Sequence, residues 1–218
     1  MGYDTVIFDL DGTLLDTLDD LMDSCNYALS TIGAPPRTRA EIRRFVGNGI
    51  RNLMKLAVPG GEEHPRFEEA YTTMQSWYKA HNQIKTAPYP GVQKLIQTLR
   101  KREIPMAVVS NKPDASVQML MRQWFPEITI GVGEMKGLRR KPARDMVDYA
   151  LDKLGNPETH AVYVGDSEVD LATAANAELD CISVTWGFRD RDLLEQKGAR
   201  QFADTAEELL DLLGANVG

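Results

Sequence analysis

Asp4-Thr-Val-Ile-Phe-Asp-Leu-Asp-Gly-Thr-Leu-Leu-Asp-Thr17 is the stretch around which the chain is organised. Thr5 to Phe8 is β-branched and aromatic, the composition of a buried parallel strand. It runs into Asp9-Leu10-Asp11-Gly12-Thr13. Two carboxylates at i and i+2, at the carboxyl end of such a strand, sit where open α/β sheets bind ligands. Gly12 lets the backbone turn sharply there. The pair can attract a hard divalent cation. An acidic turn with no chemistry is the plain alternative, since Asp and Gly are common turn residues.

Three further polar stations speak for chemistry. They are Ser110-Asn111-Lys112, Lys141-Pro142 and Gly165-Asp166-Ser167-x-x-Asp170. The first and last follow apolar strand-like runs, Pro105 to Val109 and Ala161 to Val164. Further strands are expected at Ile128 to Ile130 and Asp180 to Thr185, with Gly131 to Arg140 as a loop. Helical periodicity lies between the strands: Val92 to Leu99, a helix opened by Pro113, one opened by Pro142 and closed by Gly155, Glu168 to Ala175, and closing helices around Leu193-Leu194 and Leu209 to Leu213. Alternating strands and helices imply an α/β fold, a Rossmann-like doubly wound parallel sheet covered on both faces.

Residues 17–85 read differently. Asp16 can cap a helix to about Ile32, and Thr38 with Glu41 has capping-box spacing. Ile50 to Val58 and about Pro65 to Asn82 also have helical period, the last with Phe67, Ala70, Tyr71, Met74, Trp77, Tyr78 and His81 as a packing stripe. The switch of period predicts a helical cap over 17–85, inserted into a core domain made of 1–16 and 86–218.

The four stations, in this order and at these strand ends, resemble the motifs of the haloacid dehalogenase superfamily across essentially the whole chain. Within it the chain is most similar to the phosphoglycolate phosphatase-like branch, which carries a small helical cap between the first two motifs. The resemblance implies strand order 5-4-1-2-3 for the five main strands. It also implies a Mg²⁺-dependent phosphatase that hydrolyses a small phosphomonoester through an aspartyl-phosphate. Alternatives on the same motifs are a phosphosugar mutase and, from another class, a receiver-like phospho-accepting module. A dehalogenase is disfavoured, because relatives with that activity lack the second acid at the position of Asp11.

Phosphoryl transfer needs a nucleophile in line, positive charge on the phosphoryl oxygens and an acid for the leaving oxygen. Asp9 is the expected nucleophile and Asp11 the acid that later serves as base. Thr13 orients their loop. Ser110 and Asn111 are expected to bind the phosphoryl oxygens. Lys141 lies at a helix start, where a cation opposes the macrodipole, so a fixed charge on Asp9 and the phosphate explains it better than structure does. Asp9, Asp11 (through its backbone carbonyl in similar families) and Asp166 are expected at the metal, with Asp170 behind them orienting water or Lys141. Oxygen-only ligation suits Mg²⁺. Closure of the cap is expected to exclude water. Its Gly47-Asn48-Gly49-Ile50-Arg51 segment resembles one that faces the site in this branch, making Asn48 and Arg51 candidates for contacting the organic part of the substrate. One departure is Ala175-Asn176-Ala177, where relatives commonly have Ala-Gly; Asn is the next-best residue for a left-handed cap.

The 218 residues carry a net charge of -7, so there is no basic footprint for nucleic acid. No apolar run is long enough to span a membrane. Cys25 and Cys181 lie far apart in apolar stretches and read as free buried thiols of a reducing compartment. With a core strand at the start of the sequence, no signal peptide is expected. The expectation is a cytoplasmic enzyme, monomer or homodimer, whose partner is a small phosphorylated metabolite.

Overall fold

The computed structural model of this protein describes residues 2–155 and 160–214. Its main sheet consists of β1 (Thr5–Phe8), β2 (Met106–Pro113), β3 (Ile130–Glu134), β4 (Ala161–Gly165), β5 (Asp180–Val184) and β6 (Gln201–Ala203). All are paired in parallel, in the order β3-β2-β1-β4-β5-β6. The five strands expected from sequence keep their order. A short sixth, β6, is added at the edge beside β5. Its three residues are too few to show a period in the sequence.

The chain divides into two compact units, Met1–Leu15 with Pro88–Gly218, and Asp16–Ala87. The second is helical: α1 (Leu18–Thr31), α2 (Arg39–Phe45), α3 (Gly49–Ala57) and α4 (Phe67–His81). Thr17 rather than Asp16 is the N-cap of α1; Asp16, one residue earlier, accepts from the Leu18 N–H through Oδ1 at 3.2 Å. Thr38 and Glu41 form the reciprocal capping box that starts α2. α1 packs on α4, bringing Leu21, Cys25 and Ala28 into one core with Phe67, Ala70, Met74 and Tyr78. Trp77 leaves that stripe to stack between Tyr27 and His81.

In the first unit, α5 (Val92–Lys101), α6 (Asp114–Trp124) and α10 (Ala206–Leu212) bury their apolar stripes against one side of the sheet, with Val6, Phe8, Val108, Val162, Val164 and Ile182. α7 (Asp145–Leu154) and α8 (Glu168–Asn176) cover the other, against Ile7, Ala107, Val109 and Tyr163. Alternate residues of each strand thus enter opposite cores, which is why these strands read as unbroken apolar runs. Helix α9 (Arg191–Gln196) precedes β6. Among the described residues, no helix is long and apolar enough to cross a membrane.

Three local expectations are corrected. Gly131 to Glu134 is strand, not loop: a Cβ at Gly131 would run into the Met121 side chain and one at Gly133 into the Asp114 backbone, so glycine allows α6 to lie directly on β3. The helix after Lys141 begins at Asp145, not Pro142. At the end of α8 the left-handed residue is Glu178 (φ 61), not Asn176. There the Leu179 N–H reaches the Ala174 carbonyl at 2.9 Å, closing the helix in a Schellman-like turn. Asn176 Nδ2 instead donates to the Pro142 carbonyl at 2.8 Å.

Asp20 closes the helical unit on itself. Its buried carboxylate accepts from the Lys85 and Thr86 N–H groups and the Thr86 hydroxyl, at 2.8–3.1 Å. Asp20→Ala strands these donors and is expected to cost about 3 kcal/mol, read as a lower midpoint of urea unfolding. An unchanged midpoint would show that the three bonds are dispensable.

Candidate active site

The four stations meet at the carboxyl ends of β1, β2 and β4. Asp9 leaves β1 with its N–H on the Val164 carbonyl at 2.8 Å, so β4 fixes where the nucleophile candidate points. Lys141, between β3 and α7, is 3% exposed. Its ammonium donates to Asp9 Oδ1 at 2.7 Å, Asp170 Oδ1 at 2.8 Å and the Tyr163 hydroxyl at 3.0 Å. Three donors meet three acceptors, so every ammonium proton is used.

Asp166 and Asp170 flank the start of α8. Asp170 Oδ2 accepts from the Ser167 N–H at 3.1 Å and the Ser167 hydroxyl at 2.6 Å, capping α8. Its other oxygen takes Lys141, leaving Asp170 well supplied with donors. Asp166 Oδ2 accepts from the Phe188 N–H at 2.6 Å and Oδ1 from the Thr13 hydroxyl at 3.4 Å. Ligand oxygens of Asp9, Asp166 and Asp170 lie within 4.8 Å of one another, all buried.

Close backbone approach makes this cluster. A Cβ on Gly12 (φ 89) or Gly187 would overlap the Asp166 side chain, and one on Gly165 that of Asp170. Gly187-Phe188, and Trp186, whose indole N–H donates to the Thr13 carbonyl at 3.0 Å, were not expected at the site. The available signal was a glycine just past a buried strand, the pattern already seen at Gly12. Tyr163 was also missed, because inside an apolar strand it reads as core.

Burial sets the electrostatics. It raises the Asp9 carboxyl well above the usual carboxylate range; Lys141 opposes the shift, and Asp170 and Asp166 add to it. Burial and Asp170 push Asp166 up to about 7, against the Phe188 N–H and the Arg189 guanidinium. Burial would lower Lys141, but Asp170 and Asp9 together hold it well above its ordinary value. The Lys141 ammonium contacts two of the three clustered carboxylates, and the remaining negative charge suits a divalent cation. Nearby, Arg189 pairs with Glu168 at 2.8 Å and also acts on Asp166, and Lys112 pairs with Asp11 at 2.8 Å.

Asp11 stands apart from the cluster. Its carboxylate turns to Lys112 and to the Ser110 hydroxyl, the latter at 3.4 Å, so it is the Asp11 carbonyl rather than the side chain that remains a candidate ligand. Asn111 Nδ2 donates to the Lys141 carbonyl at 3.1 Å and braces that loop. In the helical unit, Asn48 precedes α3. Arg51 is held by Glu62 at 2.9 Å and Glu68 at 2.6 Å and lies over the Phe67 and Tyr71 rings. In this arrangement its guanidinium serves packing within that unit.

A fold and site of this kind define a family. The haloacid dehalogenase-like hydrolase family matches residues 6–184. The phosphoglycolate phosphatase of Rhodobacter capsulatus is 36% identical over 207 residues, spanning 91% of this chain and 92% of that protein. That of Pseudomonas putida is 29% identical over 215 residues, spanning 94% and 78%. A crystal structure from Lactobacillus delbrueckii subsp. bulgaricus, named as a candidate phosphoglycolate phosphatase, superposes with a TM-score of 0.93 at 37% identity, over 98% of this chain and 100% of that one. The chain belongs to the haloacid dehalogenase-like hydrolase family. Within that family it falls in the phosphoglycolate phosphatase-like branch.

A pH signature follows from Asp166. An Asp carboxyl ionises near 3.9 in an unfolded chain and at about 7 here. The folded state therefore holds the extra proton between those values, and stability falls as pH rises through that window. With chelator present, the melting temperature of the wild type should drop relative to Asp166→Asn between about pH 4 and pH 7. A difference independent of pH would contradict the assignment.

Proposed function

We propose that this chain is a Mg²⁺-dependent phosphatase that hydrolyses a small phosphomonoester of the phosphoglycolate kind. The observation that carries this is the meeting of Asp9, Lys141 and Asp166 in one buried site, from stations more than 150 residues apart in the sequence. The names of the similar proteins give the substrate class its support.

In this scheme the Asp9 oxygen that Lys141 does not hold attacks phosphorus. The P–O bond to the organic group breaks, and a proton from the Asp11 carboxyl goes to the leaving oxygen, releasing the alcohol. Asp11, now ionised, takes a proton from water as that water attacks the aspartyl-phosphate. Phosphate leaves and Asp9 is regenerated. Lys141 keeps Asp9 in place and supplies fixed positive charge at the phosphoryl group. Ser110 and the backbone at Asn111 offer hydrogen bonds to phosphoryl oxygens, and Thr13 steadies Asp166. Mg²⁺, held by Asp9, Asp166 and the Asp11 carbonyl, would supply charge against the phosphoryl oxygens. Asp170 supports Lys141 from behind. We also infer a cytoplasmic enzyme, a reading supported by two free cysteines, one of them fully buried.

With Mg²⁺ and a panel of phosphomonoesters that includes phosphoglycolate, the wild type should turn over and chelator should stop it. Asp9→Asn should lose on the order of a thousandfold or more in kcat. Undiminished turnover by Asp9→Asn would remove the covalent mechanism.

A further inference from the structure

The second station supplies a lysine that the scheme above leaves without a task. Lys112 is buried, with its side chain 4% exposed, in a protein where a lysine of that burial needs a strong reason. It sits in an irregular part of β2. Val109 pairs with Val132 and Pro113 with Glu134, so the three residues between Val109 and Pro113 face a single residue on β3. Such a bulge breaks the in-and-out alternation and re-aims side chains, often beside an active site.

Its effect here is specific. The Lys112 ammonium donates to Asp11 Oδ1 at 2.8 Å. The Lys112 N–H donates to Ser110 Oγ at 3.2 Å, and the Ser110 hydroxyl donates to Asp11 Oδ2 at 3.4 Å. One short piece of strand thus sets the Asp11 carboxyl: the ammonium holds Oδ1 directly, and the Lys112 N–H fixes Ser110 Oγ beside Oδ2, a contact the hydroxyl gives up when it turns to the phosphoryl group. Asp11 lies on a turn opened by Gly12, and its side chain is 16% exposed. Without this clamp its carboxyl could swing away from the leaving group's position.

We propose that Lys112 is a positioning residue for Asp11. It aims the acid at the leaving oxygen, and the bulge in β2 exists in order to present it. This inference rests on Asp11 being the acid of the proposed phosphatase. A proton delivered by a well-aimed acid matters most when the leaving group is a poor one, which sets Lys112 apart from a lysine that merely stabilises the fold.

The test compares kcat/KM, which reports events up to the first irreversible step, for an alkyl phosphate and for p-nitrophenyl phosphate. The nitrophenolate leaves with little need of a proton. Lys112→Met should lose about a hundredfold on the alkyl ester, within the range a general acid supplies, and only a few-fold on the aryl ester. Lys112→Gln, one atom shorter but still a hydrogen-bond donor, should show the same split to a smaller degree and serves if the Met variant does not fold. Equal losses on both esters, or no loss on either, would overturn the proposal. A wild type inactive on both esters would instead refute the phosphatase reading, so the two failures are told apart.

Discussion

A single ammonium, Lys141 Nζ, ties the end of β1 to the start of α8 by holding Asp9 and Asp170 at once, with the Tyr163 hydroxyl as its third partner. Removing one partner of such a buried set leaves uncompensated charge, which costs several kcal/mol. The set is also incomplete by itself. Three buried carboxylates cluster where one lysine contacts two of them, and burial drives Asp9 and Asp166 towards their neutral forms. An arrangement that is electrostatically short of positive charge is poor as a structural device. It makes sense as a receptor for a divalent cation and a phosphoryl group.

The fold pays for that arrangement through backbone proximity. Parallel strands β1, β2 and β4 end side by side, so acids and lysines from distant sequence arrive at one edge without any long side chain having to stretch. Gly12, Gly165 and Gly187 then let backbone approach the Asp166 and Asp170 side chains more closely than a Cβ would allow. Thr13, Ser167 and Phe188 spend their donors on those acids. Helix capping and site building are the same act at Asp170, whose two oxygens serve Ser167 and Lys141.

Much of this was legible in the sequence, because strand ends and helix starts have strong local signals. The Thr5 to Phe8 run, the Thr38–Glu41 box and the Gly155 stop each depend on a few neighbouring residues. What was not legible depends on contacts between distant segments. Gly131 and Gly133 read as loop residues because nothing nearby reveals that α6 lies on them. Asn176 reads as a left-handed cap, yet the turn closes two residues later at Glu178. Tyr163 is silent inside its apolar strand. Lys112 stands in its station in plain view, but the bulge that holds it is revealed only by the pairing of β2 with β3. Gly187 and Phe188 follow β5 as Gly12 follows β1, so the same strand-end signal marks them.

The measurement that bears most directly on the charge-deficient cluster is calorimetric titration of Mg²⁺ into the metal-free protein near pH 7.5. One saturable site per chain, lost in Asp166→Asn, is the result expected if Asp9, Lys141 and Asp166 form a cation receptor. No saturable binding, or binding that Asp166→Asn leaves intact, would contradict it.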